Sequence, residues 1–368
     1  MPQQPDPNAP PESIILQRFD GLKNTEQAER LGPRDLVKAL NVALSDTGQL
    51  SRRRGFTQKV VGRAHSLYQT TEGLNLAVLN DAVGFLNPDY SFQSLRSGIG
   101  SDPANGLTGV AYAQVGTNVY YSCPTNSGVI STQTRTIRDW GPAQDFWLSP
   151  VVNPTPNLQP IKGKLLGKPP LATALAAFRG KIYLAVNNYV WATELYLYDY
   201  VNRTDGFWPF EQPVTMLGVV GDGIYVGTAE GLWFMSPSKD YRPEQAYGLM
   251  KIERIMDSPV IPGSVIYFPA ELGNPPQIPL DQDTTVQRSI AFMTVNGWCV
   301  AQDGGQAYNM TENKFFFPSA ASASAGYQRL DGTNQYIASL QSGGTPQNAA
   351  AIGDFVEATL IRASSLTD

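Results

Sequence analysis

The sequence predicts an all-β protein: a β-propeller of six or seven blades, preceded by an extended N-terminal arm. Three observations predict it. A phrase of polar residue or Gly followed by alternating apolar residues recurs along the chain. Its spacing approaches that of a propeller blade. And 34 Gly and 28 Pro among 368 residues supply many turns.

Taken in order, residues 1–13 are Pro-rich and polar, with Pro2, Pro5, Pro7, Pro10 and Pro11. Such a segment favours extended structure and packs no core of its own. It reads as an arm that crosses to a neighbouring subunit. Residues 24–40 are the best helix candidate: Asn24 or Thr25 can cap it, and Glu26 and Glu29 sit at its positive end. Pro33 interrupts, so a second turn would start there. Leu36–Val42 could extend the helix or begin a strand. Asp46-Thr47-Gly48 reads as a tight turn, and Leu50–Phe56 as a basic strand ending in Gly-aromatic. The arm, helix and basic strand make a first region, 1–56, with inter-subunit contacts.

From about residue 58 short strands alternate with turn signals, which makes 57–368 the propeller. The recurring phrase carries Gly73, Gly116, Gly180, Gly223, Gly297 and Gly332. Forty-three residues separate Gly73 from Gly116 and Gly180 from Gly223, close to the roughly 40–45 of a blade. The Gly turns the hairpin, and alternate residues face the two neighbouring blades. One four-stranded blade cannot cover both its faces, so blades stack and bury each other. Gly263–Phe268 reads as a further unit. Spacing alone leaves a β-sandwich pair or an irregular β fold with coincidental Gly spacing open. The stretches 142–170 and 257–288, rich in Pro, Asn and Gln, read as loop insertions that contact neighbours or lie on the surface.

Composition excludes several functions. Only 16% of residues are charged, against a usual figure of about 25%, which suits a subunit covered in an assembly. The net charge of −5 is wrong for a protein that grips nucleic acid through phosphates, though compatible with a conduit along which DNA slides. Cys123 and Cys299 lie far apart with no ligand spacing, so both read as reduced, buried thiols. The start Met1-Pro2-Gln3-Gln4-Pro5 has no basic or apolar leader pattern, and no apolar run reaches membrane-spanning length. The expected compartment is a reducing cytoplasm, or a particle built there.

The search for chemistry is negative. His65, the single histidine, reads as a structural, hydrogen-bonded residue. Asp281-Gln282-Asp283 starts like a calcium loop but has Val286 and Phe292 where Gly and Glu are needed. Ala301–Tyr308 resembles an Asp box of the sialidases and reads as a hairpin turn. No phosphate-binding, dinucleotide or nucleophile-elbow motif is present. No catalytic, metal or cofactor site is expected. The cluster Arg52-Arg53-Arg54 suits contacts to a partner's carboxylates, with a solvated strand edge and DNA phosphates as other readings. Strand alternation points Arg53 away from Arg52 and Arg54. Aromatic groups at Phe207-Trp208-Pro209-Phe210 and Phe315-Phe316-Phe317 read either as interface anchors, notably Trp208 and Phe210, or as core between blades.

Phe19-Asp20-Gly21-Leu22, Asn41-Val42 and Asp46-Thr47-Gly48-Gln49-Leu50-Ser51-Arg52-Arg53-Arg54-Gly55-Phe56 together resemble the opening of the tail hub, or nozzle, proteins of short-tailed bacteriophages. Arg63–Tyr68 resembles the start of that family's first blade, and the likeness extends more faintly over the blades and Asp354–Arg362. Arg54 stands where that family has Pro, so the strand is expected to run one residue longer. The resemblance implies a virion protein that is not an enzyme. Its copies would form a homo-oligomeric ring, expected to be a hexamer, under the portal and its adaptor proteins. That ring would retain and guide double-stranded DNA without sequence-specific binding and anchor tail fibres or a needle. Phe19, Leu22, Arg52, Arg53, Arg54, Trp208 and Phe210 are the expected contact residues. The alternative from another class is a glycan-binding or sialidase-like propeller.

Overall fold

The computed structural model describes residues 18–23, 25, 27–37, 42–44, 48–52, 57–101, 109–149, 163–238, 250–267, 289–312, 320–330, 333–341 and 356–362. The expectations for the arm at 1–13, for Arg53 and Arg54, for the calcium-like stretch at 281–283 and for Phe315-Phe316-Phe317 lie outside the described residues. The chain divides into two compact units, Met1–Phe56 with Thr311–Phe316, and Thr57–Met310 with Phe317–Asp368.

The smaller unit holds four short strands: β1 (Gly21–Leu22), β2 (Asp35–Leu36), β3 (Val42–Leu44) and β4 (Leu50–Arg52). β1 runs parallel to β2, with Leu22 opposite Leu36. β3 and β4 form an antiparallel hairpin with Val42 opposite Arg52. The helix expected over 24–40 is corrected: among the described residues there is one 3-10 turn, Ala28–Arg30. Gly32 and Pro33 follow it at once, and the Gly32 N–H donates to Asp35 Oδ2 (3.2 Å), turning the chain into β2 rather than extending a helix.

Among the described residues, the larger unit is built of six sheets in chain order. The first contains β5 (Ala64–Gln69), β6 (Asn75–Leu79), β7 (Ala82–Leu86) and β8 (Phe92–Ser97). The second contains β9 (Ala111–Val115), β10 (Asn118–Ser122), β11 (Ser127–Ser131) and β12 (Thr136–Asp139). The third, of seven strands, contains β13 (Phe146–Leu148), β14 (Lys164–Gly167), β15 (Ala174–Phe178), β16 (Lys181–Val186), β17 (Tyr189–Glu194), β18 (Leu197–Asn202) and β19 (Phe207–Pro209). Its order is β13-β14-β18-β17-β16-β15, with β19 also pairing β17. The fourth contains β20 (Val214–Val219), β21 (Ile224–Thr228), β22 (Leu232–Pro237) and β23 (Met250–Met256). The fifth contains β24 (Ile266–Tyr267), β25 (Ile290–Thr294), β26 (Gly297–Gln302) and β27 (Gln306–Asn309). The last contains β28 (Ser322–Leu330), β29 (Thr333–Gln341) and β30 (Val356–Arg362).

Packing between these sheets follows the two-residue period of one inner strand in each. On β10, Val119 and Tyr121 enter the core shared with the first sheet, while Tyr120 enters the core shared with the third. On β16, Ile182 and Leu184 face the second sheet, while Tyr183 and Ala185 face the fourth. On β21, Ile224 and Val226 pack back toward the third sheet, and Tyr225 forward onto the fifth. On β25, Ile290 and Phe292 join the fourth sheet's core, and Ala291 and Met293 the last sheet's. Each of these strands is buried on both faces, and each sheet stacks on the next in the chain. At about 1.5–3 kcal/mol for each large side chain buried, these shared cores dominate the favourable side of folding.

This is the β-propeller expected. The blade count is not: four sheets have the four-stranded blade order, against the six or seven expected. The glycine phrase marks one hairpin per sheet, so it reports sheets and is blind to how many strands each acquires. The third sheet gains β13, β14 and β19; the last has three strands among the described residues. The glycines do their expected work at the first hairpins. Gly73, Gly116 and Gly180 have φ of 80°, 58° and 73° in the β5–β6, β9–β10 and β15–β16 hairpins, a conformation that favours residues without a Cβ. Two further expectations are corrected. Gly263 and its neighbours lead into β24 of the fifth sheet and are not a separate unit. The described parts of 142–170 are not wholly loop, since they supply β13 and β14.

Candidate functional site

Of the contact residues expected from sequence, the structure places three, Phe19, Leu22 and Arg52, in the smaller unit. The Phe19 N–H donates to Gly48 O (2.8 Å), the Asp20 N–H to Arg34 O (3.0 Å) and the Lys23 N–H to Leu36 O (2.9 Å). Gly48 is at φ 78°, and a Cβ there would lie 2.6 Å from Arg18 Cγ and 2.9 Å from Phe19 O. The Phe-x-Gly-Leu and acidic-Gly pieces thus form one local structure. Phe19 and Leu22 are half-buried, and Arg52 is exposed on β4. Trp208 and Phe210 are corrected as exposed anchors: at 4% and 7% exposed they belong to the core between the third and fourth sheets. The Trp208 ring stacks on Tyr183, 5.9 Å between centroids. Their consecutive aromatic run is a core run because β19 lies on β17, and sequence alone does not reveal that pairing.

His65 is a satisfied structural residue. Its Nδ1 is 2.9 Å from Ser66 Oγ and its Nε2 is 3.0 Å from Ser101 O. Ala301–Tyr308 forms the β26–β27 hairpin, with Gly304 and Gly305 at φ 82° and 72° in its turn. Cys123 and Cys299 are buried thiols outside any disulfide. Among the described residues no group of three or more His, Cys, Asp or Glu could hold a metal ion. No helix there is long and apolar enough to cross a membrane.

The features that stand out are ones sequence reasoning missed, and both lie at the outer end of the third sheet. The first is β13. Among the described residues it pairs β14 on one side only and ends the sheet. Phe146, Trp147 and Leu148 along it are 42%, 57% and 44% exposed. Successive strand residues point to opposite faces, so this short strand is uncovered on both. Phe146 meets Tyr200 edge-on at 5.6 Å; Trp147 stacks on no ring among the described residues. Open sheet edges pair readily with another chain, and three adjacent large apolar groups add a driving force.

The second feature is a cleft of about 410 Å³ beside it, where the first three sheets meet, lined by Arg96, Ser127, Asp139, Lys168, Leu171 and Arg203 among others. β14 continues directly into its wall as Lys168-Pro169-Pro170-Leu171. Arg96, half-buried at the end of β8, pairs with Asp139 (Nη2–Oδ1 2.8 Å) and donates to Tyr121 Oη (3.1 Å). Burial raises the Tyr121 phenol to about 12, tempered by the Arg96 charge. Arg203 Nε lies 3.3 Å from Asp145 Oδ2. A Cβ on Gly167 would collide with the Asp145 carboxylate and approach Arg203 Nε to 2.7 Å. Glycine is what lets that pair cross the end of β14. The cations are far apart in sequence, so no spacing announced them. The run Phe146-Trp147-Leu148 in a charge-poor insertion was the one available signal.

The stacked sheets and their alternately shared residues define the class of the larger unit as a β-propeller. Among solved structures, the chain is similar to the extracellular domain of a hybrid two component system from B. thetaiotaomicron, at 16% identity and a TM-score of 0.42, over 82% of this chain and 33% of that one. It is also similar to the N-terminal domain of Nup159, at 7% identity and TM-score 0.39, over 80% of this chain and 77% of that one. A third is Kluyveromyces lactis Hsv2, at 9% identity and TM-score 0.31, covering 73% and 89%. At these scores no function is carried across. No family model and no curated protein matches the sequence.

Proposed function

We propose that the chain is a non-enzymatic structural subunit of a short bacteriophage tail, a hub or nozzle whose copies form a ring. The ring, expected to be a hexamer, would sit below the portal and its adaptor proteins. There it retains and guides double-stranded DNA without sequence-specific binding, and anchors fibres or a needle. Assembly takes place in the host cytoplasm and function in the virion.

The observation that carries this reading is β13. An open edge bearing Phe146, Trp147 and Leu148, all exposed, is an aggregation hazard for a solitary protein and a natural seam for one that works among copies. The phage-hub-like motif of residues 19–56 and the 16% charged content support it further. So does the stacked architecture: sheets buried on both faces resist deformation, which suits a mechanical part. Electron microscopy of the purified protein tests the reading. Rings around an axial opening wide enough for duplex DNA are expected. A monomer that binds a saccharide in calorimetry would overturn the hub reading in favour of a glycan-binding propeller.

A further inference from the structure

We propose that the cleft between the first three sheets receives carboxylate side chains from an acidic, apolar-flanked segment of a protein partner. The proposal rests on the reading of the adjoining β13 as a contact surface, and it specifies the partner's chemistry.

The cleft concentrates cations in an acidic protein. Arg96, Lys168 and Arg203 line it, with Asp139 as the single lining carboxylate, in a chain of net charge −5. Asp145 adds one negative charge behind Arg203, which leaves the lining cationic. Lys168 is half-buried and makes no ion pair with another described residue. Arg203 Nε is a buried donor with no hydrogen-bond partner among the described residues, although Asp145 Oδ2 lies 3.3 Å away. Both arginines already hold carboxylates, so the geometry of the cleft suits that group; guanidinium forks match carboxylates in shape. The Arg96 partner, Asp139, is 80% exposed at its side chain and can be displaced at little cost.

Its surroundings select the rest of the partner. Pro169, Pro170 and the 38%-exposed Leu171 form one wall. β14, whose end forms that wall, pairs with β13, and Phe146 lies opposite Leu166. A segment alternating carboxylates with apolar side chains would satisfy cations and apolar edge together. A nucleic acid would satisfy the cations alone, and the protein's negative field repels a long polyanion.

The test uses the full chain and a fluorescent peptide alternating Glu and Leu, with a Gln/Leu peptide and short duplex DNA as comparisons. The Glu/Leu peptide should bind, and added salt should weaken it. Lys168→Glu should weaken it roughly tenfold or more, the scale of a lost charged contact. Arg203→Gln should do the same, and Lys168 has no ion pair to lose should the arginine variant fold poorly. Equal binding of the Gln/Leu peptide, an unaffected Lys168→Glu variant, or duplex DNA binding in place of the peptide would each overturn the proposal. Rings on grids with no peptide binding sink the cleft and leave the hub reading standing; a peptide-binding monomer does the reverse.

Discussion

At the scale of single residues, a few polar side chains act as clamps between sheets, and their loss is measurable. Gln114 is 9% exposed. Its Oε1 accepts from the Thr71 N–H (2.9 Å), and its Nε2 donates to Glu72 Oε2 (2.8 Å), Thr71 Oγ1 (2.9 Å) and Gly116 O (2.9 Å). This ties the first hairpin of the first sheet to β9 of the second. At Glu72 the desolvation cost is outweighed by hydrogen bonds from Gln114 and its own turn, which hold the carboxyl below its usual range. Gln114→Ala is expected to lower stability by about 1–3 kcal/mol, because buried partners are left unmade; denaturant titration reads this, and an unchanged midpoint would contradict it. Buried phenols set a second expectation. Burial raises Tyr68, Tyr112, Tyr225 and Tyr336 well above the ordinary value, and raises Tyr120 and Tyr121 to about 12. A group whose folded pKa is raised contributes stability that is intact below its unfolded pKa and lost as pH climbs past it. The melting temperature should therefore hold up to about pH 10 and fall above it, with phenolate absorbance rising in step with unfolding. Phenolate appearing fully below pH 10 in the folded protein would be incompatible with this.

The elements are short, and their meaning depends on which neighbour each one finds. β10, β16, β21 and β25 each divide their side chains between two cores, so they are the least replaceable strands. β13 is the opposite, a three-residue edge on which Trp147 and Leu148 are 57% and 44% exposed. Changing both to Ser should shift the melting temperature little, within about 0.5 kcal/mol as for other surface changes. The same variant should reduce self-association in sedimentation velocity. Undiminished association would remove β13 from the proposed interface. The hairpin glycines were legible because a tight turn between two paired strands needs a left-handed residue at one fixed place. β14 and β19 were not legible: a strand pairing with β18 or β17 leaves no local trace of its partner.

For the whole molecule, the proposed ring is the prediction that matters. Sheets stacked through shared cores resist bending about their seams, since any splay exposes apolar surface on both sides at once. A ring of such units would survive moderate salt if apolar edges hold it, and come apart as salt rises if the exposed Arg52 and the cleft cations hold it. Electron microscopy across a salt series separates these, and rings that persist at high salt assign the seam to β13. The helix expected near residue 30 shows the limit of local reasoning at this scale. Capping residues were present, yet Gly32, Pro33 and the pairing of β1 with β2 decided the outcome.

The sequence alone determined that the chain is all-β, that its strands alternate residues between two buried faces, and where the glycine hairpins fall. Those properties are local: a two-residue period and a left-handed turn are written in adjacent residues. Only the tertiary structure decided how many strands each sheet holds, that Trp208 and Phe210 are core, and that Arg96, Lys168 and Arg203 line one cleft beside an open apolar edge. Each of those depends on contacts between segments distant in the chain, and burial or charge concentration exists only once such segments meet.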